Sequence, residues 1–159
     1  MTKAIKNDFD PSLDLKFERE VNVSAEKIFR AWTDPELLLK WFAPLPWTTV
    51  SAKVDLRPGG IFQAVMRSPE GKEFGDPGCV LEVVENRRLV WTDSFAPGFR
   101  PKAVSFFTAI IELETLGKDR TRYTAIAKHA NAESQKKHEE MGFQTGWGQC
   151  LDQLVELVK

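Results

Sequence analysis

Polar and apolar residues alternate through most of this chain, and the alternation gives way to helical spacing in two places. Leu13, Leu15 and Phe17 alternate with Asp14, Lys16 and Glu18, the period of two that marks a half-buried strand, here running to about Val23. Ser24 then reads as a helix N-cap, with Lys27 instead of Glu at the capping-box position, and Ile28, Phe29 and Trp32 form the apolar face of a short helix. Asp34 caps a second helix with Pro35 in its first turn, where the missing N–H costs nothing, and Leu38 and Trp41 carry its face. Residues 42–47 hold Pro44 and Pro46 and are expected to be irregular.

Thr48, Val50, Ala52 and Val54 open a meander whose further strands are expected at 61–67, 79–84, 88–95, 104–114 and 121–128. Turn signals separate them: Arg57-Pro58-Gly59-Gly60, Ser68-Pro69-Glu70-Gly71, Gly75-Asp76-Pro77-Gly78, Glu85-Asn86-Arg87 and Gly117-Lys118-Asp119. Residues 96–101, with two prolines and a glycine, form a loop that is long for a hairpin. In 104–114 one face carries Phe107, Ala109, Ile111 and Leu113, and the other carries Phe106, Thr108, Ile110 and Glu112.

Residues 132–159 read as one long helix. Trp147, Cys150, Leu151, Leu154, Leu157 and Val158 recur at steps of three and four, while Asp152, Gln153, Glu156 and Lys159 face water. Such a stripe must lie on something apolar, and the preceding residues supply mostly strand. The pattern therefore predicts an α+β fold, a curved antiparallel sheet with one face covered by the terminal helix. A sheet curved around one helix leaves space at its open end, and that space is the candidate site.

Composition narrows the setting. The 159 residues are 42% hydrophobic and 28% charged, enough for one domain, expected over 12–159 after a flexible tail at 1–11. Opposite charges nearly cancel at net −1, which disfavours nucleic acid as a partner. No apolar run approaches the roughly 20 residues of a membrane span. Cys79 and Cys150 are far apart, and the chain begins without a signal-like apolar run, so a cytoplasmic protein with reduced thiols is expected. Five Trp and eleven Phe against one Tyr give aromatic bulk that can fill a core or line a pocket.

Several stretches resemble a known family. Arg19, Val23-Ser24-Ala25-Glu26, Ile28-Phe29, Ala31-Trp32-Thr33-Asp34-Pro35-Glu36, Leu38 and Trp41 are similar to the opening signature of the activator-of-Hsp90-ATPase-like (AHSA1-type) branch of the START/Bet v 1 (SRPBCC) superfamily. Asp55-Leu56-Arg57-Pro58-Gly59-Gly60, Phe62, Met66, Pro69 and Gly71 resemble its second motif, Leu89-Val90-Trp91-Thr92 its third, and Gly146-Trp147 with Leu151-Asp152-Gln153-Leu154 its last helix. The resemblance implies a helix-grip fold: a seven-stranded antiparallel sheet wrapping the C-terminal helix, with two short helices after the first strand. In that superfamily the space between sheet and helix often holds lipids, hormones or polyketides. The eukaryotic co-chaperone that names the branch carries an additional N-terminal domain, which this chain has no room for, so Hsp90 activation ranks behind ligand binding.

Few polar residues suit chemistry at such a site. Asp93 shares parity with Trp91 and Phe95, so an inward carboxylate is expected, satisfied by loop N–H groups or by Arg100, with Tyr123 a further partner. His138, among Lys136, Lys137, Glu139 and Glu140, is expected on a solvated helix face, and His129 as a linker residue that shares no face with it. That separation excludes a zinc-protease pattern, and no metal or cofactor is expected. Cys150 reads as a buried inert thiol, and Gly146 and Gly148 around Trp147 point to a close approach, with packing on the sheet preferred over a ligand as its cause.

The ligand-lining candidates are Trp41, Phe62, Met66, Trp91, Asp93, Phe107, Tyr123, Met141 and Trp147, with Trp32 and Phe42 as core or pocket mouth. No nucleophile and base pair is evident. The first reading is thus a non-enzymatic domain binding a hydrophobic or amphipathic small molecule. A polyketide-cyclase-like enzyme using Asp93, Tyr123 or His138 comes second, and a co-chaperone or regulatory module third. Ligand identity and oligomeric state stay open.

Overall fold

The computed structural model describes residues 9–159, so the tail expected at 1–11 falls mainly outside the described residues. Strand β1 (Asp14–Val21) is followed by α1 (Ala25–Thr33) and α2 (Pro35–Trp41). The meander comprises β2 (Thr48–Val54), β3 (Ile61–Arg67), β4 (Glu73–Phe74), β5 (Gly78–Val84), β6 (Arg88–Thr92), β7 (Phe95–Ala96), β8 (Arg100–Pro101), β9 (Thr108–Gly117) and β10 (Arg120–Lys128). The chain ends in α3 (Ala132–Glu140) and α4 (Phe143–Val158).

The caps lie where the sequence placed them: the Ser24 hydroxyl accepts from the Lys27 N–H, and the Asp34 carboxylate from the Glu36 N–H. Among the described residues seven strands pair in the order β1-β10-β9-β6-β5-β3-β2, all antiparallel, with β4 added on β3 and β7-β8 forming a separate small ribbon. Register shifts at Thr49/Ser51, Val80/Glu82 and Arg120/Thr121 insert unpaired residues, and such bulges increase local twist and bend a sheet. The result is a curled half-barrel holding α4 against β1, α1 and α2, the helix-grip arrangement.

One core fills the concave side. Phe17, Phe62, Trp91, Ile111, Tyr123 and Ala125 come from alternating strand positions and meet Ile28, Trp32 and Leu38 from the short helices and Leu151 and Leu154 from α4. Leu151 and Leu154 are fully buried, each expected to cost about 2 to 5 kcal/mol if cut to Ala. A second cluster of Val90, Ile110 and Ile126 with Leu81 lies on the other face.

Three expectations for the terminal segment need correction. The single helix at 132–159 is two, broken at Met141 and Gly142, where Gly142 takes φ +90° and donates its N–H to the Glu139 carbonyl. Glycine adopts that left-handed conformation without strain, and it ends α3 as a helix-terminating residue does. Leu157 lies on the exposed side of α4, whereas Phe143 and Gly148 join the buried side. Gln153 does not face water: its amide donates to the Trp41 and Ala43 carbonyls at 3.0 and 2.8 Å, and its oxygen accepts from the Leu45 N–H at 3.2 Å.

Gln149, Gln144 and Gln135 work the same way. They donate to the carbonyls of Leu45, Lys16, and Pro11 with Asp14, so glutamines tie the terminal helices to the backbone on both sides of the grip. Gly148 permits the contact with β1: a Cβ there would meet Arg19 Nη2 at 3.0 Å and Phe17 Cε2 at 3.4 Å. Arg19 closes that corner by pairing with Asp152 at 3.0 Å and lying 4.9 Å over the Phe17 ring.

The strand expected at 88–95 stops at Thr92, and that expected at 104–114 starts only at Thr108. Asp93 is the physical reason. Its carboxylate accepts from the Phe106 N–H at 2.8 Å and the Phe107 N–H at 3.3 Å, replacing ladder bonds with side-chain ones and releasing the intervening chain.

Candidate functional site

Aromatic side chains from five elements converge under α4. Phe62 of β3 stacks on Trp91 of β6, with centroids 4.5 Å apart and planes at 14°. Trp91 meets the edge of Phe107 at 5.6 Å, Phe107 reaches Trp147 of α4 at 6.1 Å, and Trp147 meets Phe143 at 5.2 Å. Trp32 of α1 stands behind them, in contact with Trp41, Phe42 and Trp147 at 4.9, 5.8 and 6.4 Å. Phe62, Trp91, Trp32 and Trp41 are buried, while Phe42, Phe107 and Trp147 stay half-buried. The space expected between sheet and helix is occupied by these rings.

The indole N–H groups of this cluster differ. Trp32 Nε1 donates to the Tyr123 hydroxyl at 3.1 Å, and Trp41 Nε1 donates to the Ala31 carbonyl at 2.9 Å. Among the described residues Trp91 Nε1 is buried without a partner, as is Thr49 Oγ1 on the edge strand β2. An indole can only donate, and a buried unpaired donor typically costs about 1 to 3 kcal/mol. Trp91 is therefore the ring in this cluster with an unmet hydrogen-bonding demand.

His138 and His129 depart most from the sequence reading. His138 is not solvated but 6% exposed, the buried residue of α3, and its Nδ1 lies 2.9 Å from His129 Nε2. His129 Nδ1 in turn lies 2.8 Å from the Leu13 carbonyl. A carbonyl only accepts, so His129 carries its proton on Nδ1, and in the neutral pair its Nε2 accepts from His138 Nδ1–H. Each ring thus keeps one unprotonated nitrogen: His129 Nε2, which accepts from its neighbour, and His138 Nε2, to which no described residue donates.

The His138 ring sits among Phe106, Phe107 and Phe143, with centroids at 4.7, 4.8 and 5.1 Å. Burial, and then the neighbouring His129, lower its pKa from 6.5 to about 4. The two histidines meet because the chain reverses between β10 and α3 at Asn131, which caps α3 by accepting from the Ser134 N–H. Helical spacing hid this contact, since His129 is not in a helix at all.

The other candidates fall as follows. Asp93 takes its partners from the backbone of Phe106 and Phe107, whereas Arg100 is exposed on β8 and makes no bond to it among the described residues. Tyr123 is fully buried, its phenol held neutral by burial, with Trp32 as partner and Phe17 edge-on at 6.2 Å. Met66 is half-buried on the inner face of β3, and Met141 is 66% exposed at the helix break. Burial pushes the Cys150 thiol up to about 12, and its Sγ lies 3.4 Å from the Phe42 carbonyl. A groove of about 750 Å³ lies on the other face of the sheet, walled by Arg88, Glu112, Glu114 and Arg122. Ion pairs of 3.0 Å (Arg88–Glu112) and 2.8 Å (Arg122–Glu114) cross that wall.

Residues 22–159 match the family described as Activator of Hsp90 ATPase homolog 1-like protein. A crystallised protein from Nitrosomonas europaea is 47% identical, with a TM-score of 0.89 over 94% of this chain and 96% of its own. The AHSA1 protein of Silicibacter pomeroyi is 25% identical, with a TM-score of 0.65 over 90% of this chain and 95% of its own. A Mycobacterium smegmatis protein, 24% identical, shares the fold at a TM-score of 0.76 over 99% and 96% of the two chains. No curated protein matches the sequence.

Proposed function

Because this chain belongs to the Activator of Hsp90 ATPase homolog 1-like family, a branch of the START/Bet v 1 superfamily, we propose that it binds an amphipathic small molecule between the sheet and α4. The observation that carries the reading is the unpartnered Trp91 N–H within a cluster of aromatic rings, three of them half-buried. Rings with accessible faces offer a ligand dispersion and stacking, and an indole donor fixes the orientation of one oxygen acceptor. Phe42, Phe107 and Trp147 are the rings that move aside on entry, because rings that retain exposure are the least constrained by packing. Trp32 and Trp41, whose N–H groups are already bonded, form the fixed floor.

The reading is tested with a dimethoxynaphthalene whose oxygens sit on opposite rings, titrated against the folded protein and followed by probe fluorescence. Saturable one-to-one binding is expected, weakened roughly 3- to 10-fold in Trp91→Phe, which removes the donor and keeps an aromatic ring. Absence of saturable uptake by the folded wild type would overturn the proposal.

A further inference from the structure

Resting on that reading, we propose that His138 Nε2 is the second polar anchor of the ligand space, accepting a hydrogen bond from a hydroxyl at the opposite end of an aromatic ligand from the oxygen that Trp91 holds. The bonds around the pair assign its protons. The Leu13 carbonyl fixes a proton on His129 Nδ1, His129 Nε2 must then accept, and His138 donates through Nδ1. That leaves a lone pair on His138 Nε2, on the side of the ring away from His129, to which no described residue donates.

Phe106, Phe107 and Phe143 pack around the His138 ring, and Phe107 also touches Trp91, so Phe107 borders both side chains, the Trp91 donor and the His138 acceptor. One of those groups only donates and the other only accepts. A planar ligand with an acceptor oxygen at one end and an O–H at the other complements both, whereas a fatty acid, with one polar end and as a carboxylate no donor, does not.

The supports of His138 are themselves fixed. Asp93 holds the backbone of Phe106 and Phe107 through three hydrogen bonds of 2.8, 2.9 and 3.3 Å. His129 is anchored to the residue before β1, and Gln135, one turn ahead of His138 on α3, donates to the Pro11 carbonyl at 2.9 Å. In this arrangement Asp93 and His129 are positioning residues. They set the direction of the acceptor without touching the ligand.

The test compares the dimethoxynaphthalene with the naphthol left when one methyl is removed. In a purely apolar space the extra methyl favours the diether, so the reverse order marks the hydrogen bond. The wild type is expected to bind the naphthol roughly 3- to 10-fold more tightly than the diether, and His138→Phe to lose that preference while still binding the diether. In wild-type protein labelled with nitrogen-15, the His138 Nε2 resonance is expected to move with the naphthol and not with the diether. This reading needs no variant to fold.

Equal affinity for the two probes, a preference that survives in His138→Phe, or an unmoved Nε2 resonance would each overturn the anchor while leaving binding between sheet and helix in place. Uptake of neither probe would overturn both.

Discussion

Burial holds the His138 imidazole neutral down to about 4, against an ordinary 6.5, because charging it would place a cation among three phenylalanine rings and beside His129. In the unfolded chain the same imidazole takes up a proton near its ordinary value. Between those two values the unfolded state binds more protons than the native one, so stability rises with pH and falls on acidification. The melting temperature of the wild type is expected to drop more steeply from pH 6.5 to 4 than that of His138→Phe, the difference isolating this group from carboxylates titrating in the same range. Identical slopes in the two proteins would show that His138 is not held neutral. Trp91 presents the same physics without a titration: among the buried indoles described here, its N–H is the one that folding leaves unpaired.

The terminal segment shows at the scale of elements what the sequence reveals and what it hides. Alternation marked the strands well because each has one face on the core, and Leu151 and Leu154 marked α4 by their spacing. The break at Gly142 was not legible. Helix α3 has no apolar stripe to lose phase, since His138 is its buried residue, and so the polar run read as an extension of α4. The histidine contact was hidden for the same reason: it depends on a chain reversal, not on a period.

Parity had Trp91 face inward if its aromatic neighbours did, and helical spacing put Trp147 on the apolar stripe of the terminal helix; both rings lie in the aromatic cluster. Glycine substitutions separate the two cases. Gly142→Ala meets no neighbouring atom but must take φ +90°, and is expected to destabilise by about 1 to 2 kcal/mol. Gly146→Ala lies within α4 with open space at its Cβ, and is expected to stabilise by about 0.5 to 1 kcal/mol. Thermal or urea unfolding of the two variants checks both signs, and equal effects would contradict the break.

Across the whole molecule, the residues that signal the family prove to be those that build the grip. Ser24 and Asp34 cap helices, Trp32 bonds Tyr123 across the core, and Gly60 passes so close to the Asp55 carbonyl that a Cβ would collide with it. Gln153 binds the backbone between α2 and β2. Such a signature carries a fold to many ligands, which is why function has to be argued from Trp91 and His138 instead. Two regions then compete as the site, the aromatic cluster under α4 and the charged groove on the other face. The groove is walled by surface ion pairs, which contribute little individually and already satisfy one another.

Nuclear Overhauser contacts between the bound naphthol and the protein's aromatic protons decide between them. Contacts to Trp91, Phe107 and Trp147, with none to the protons of Arg88 or Arg122, are the expected result. Contacts confined to the Arg88 and Arg122 face, or none at all under saturating probe, would contradict a ligand site between sheet and helix.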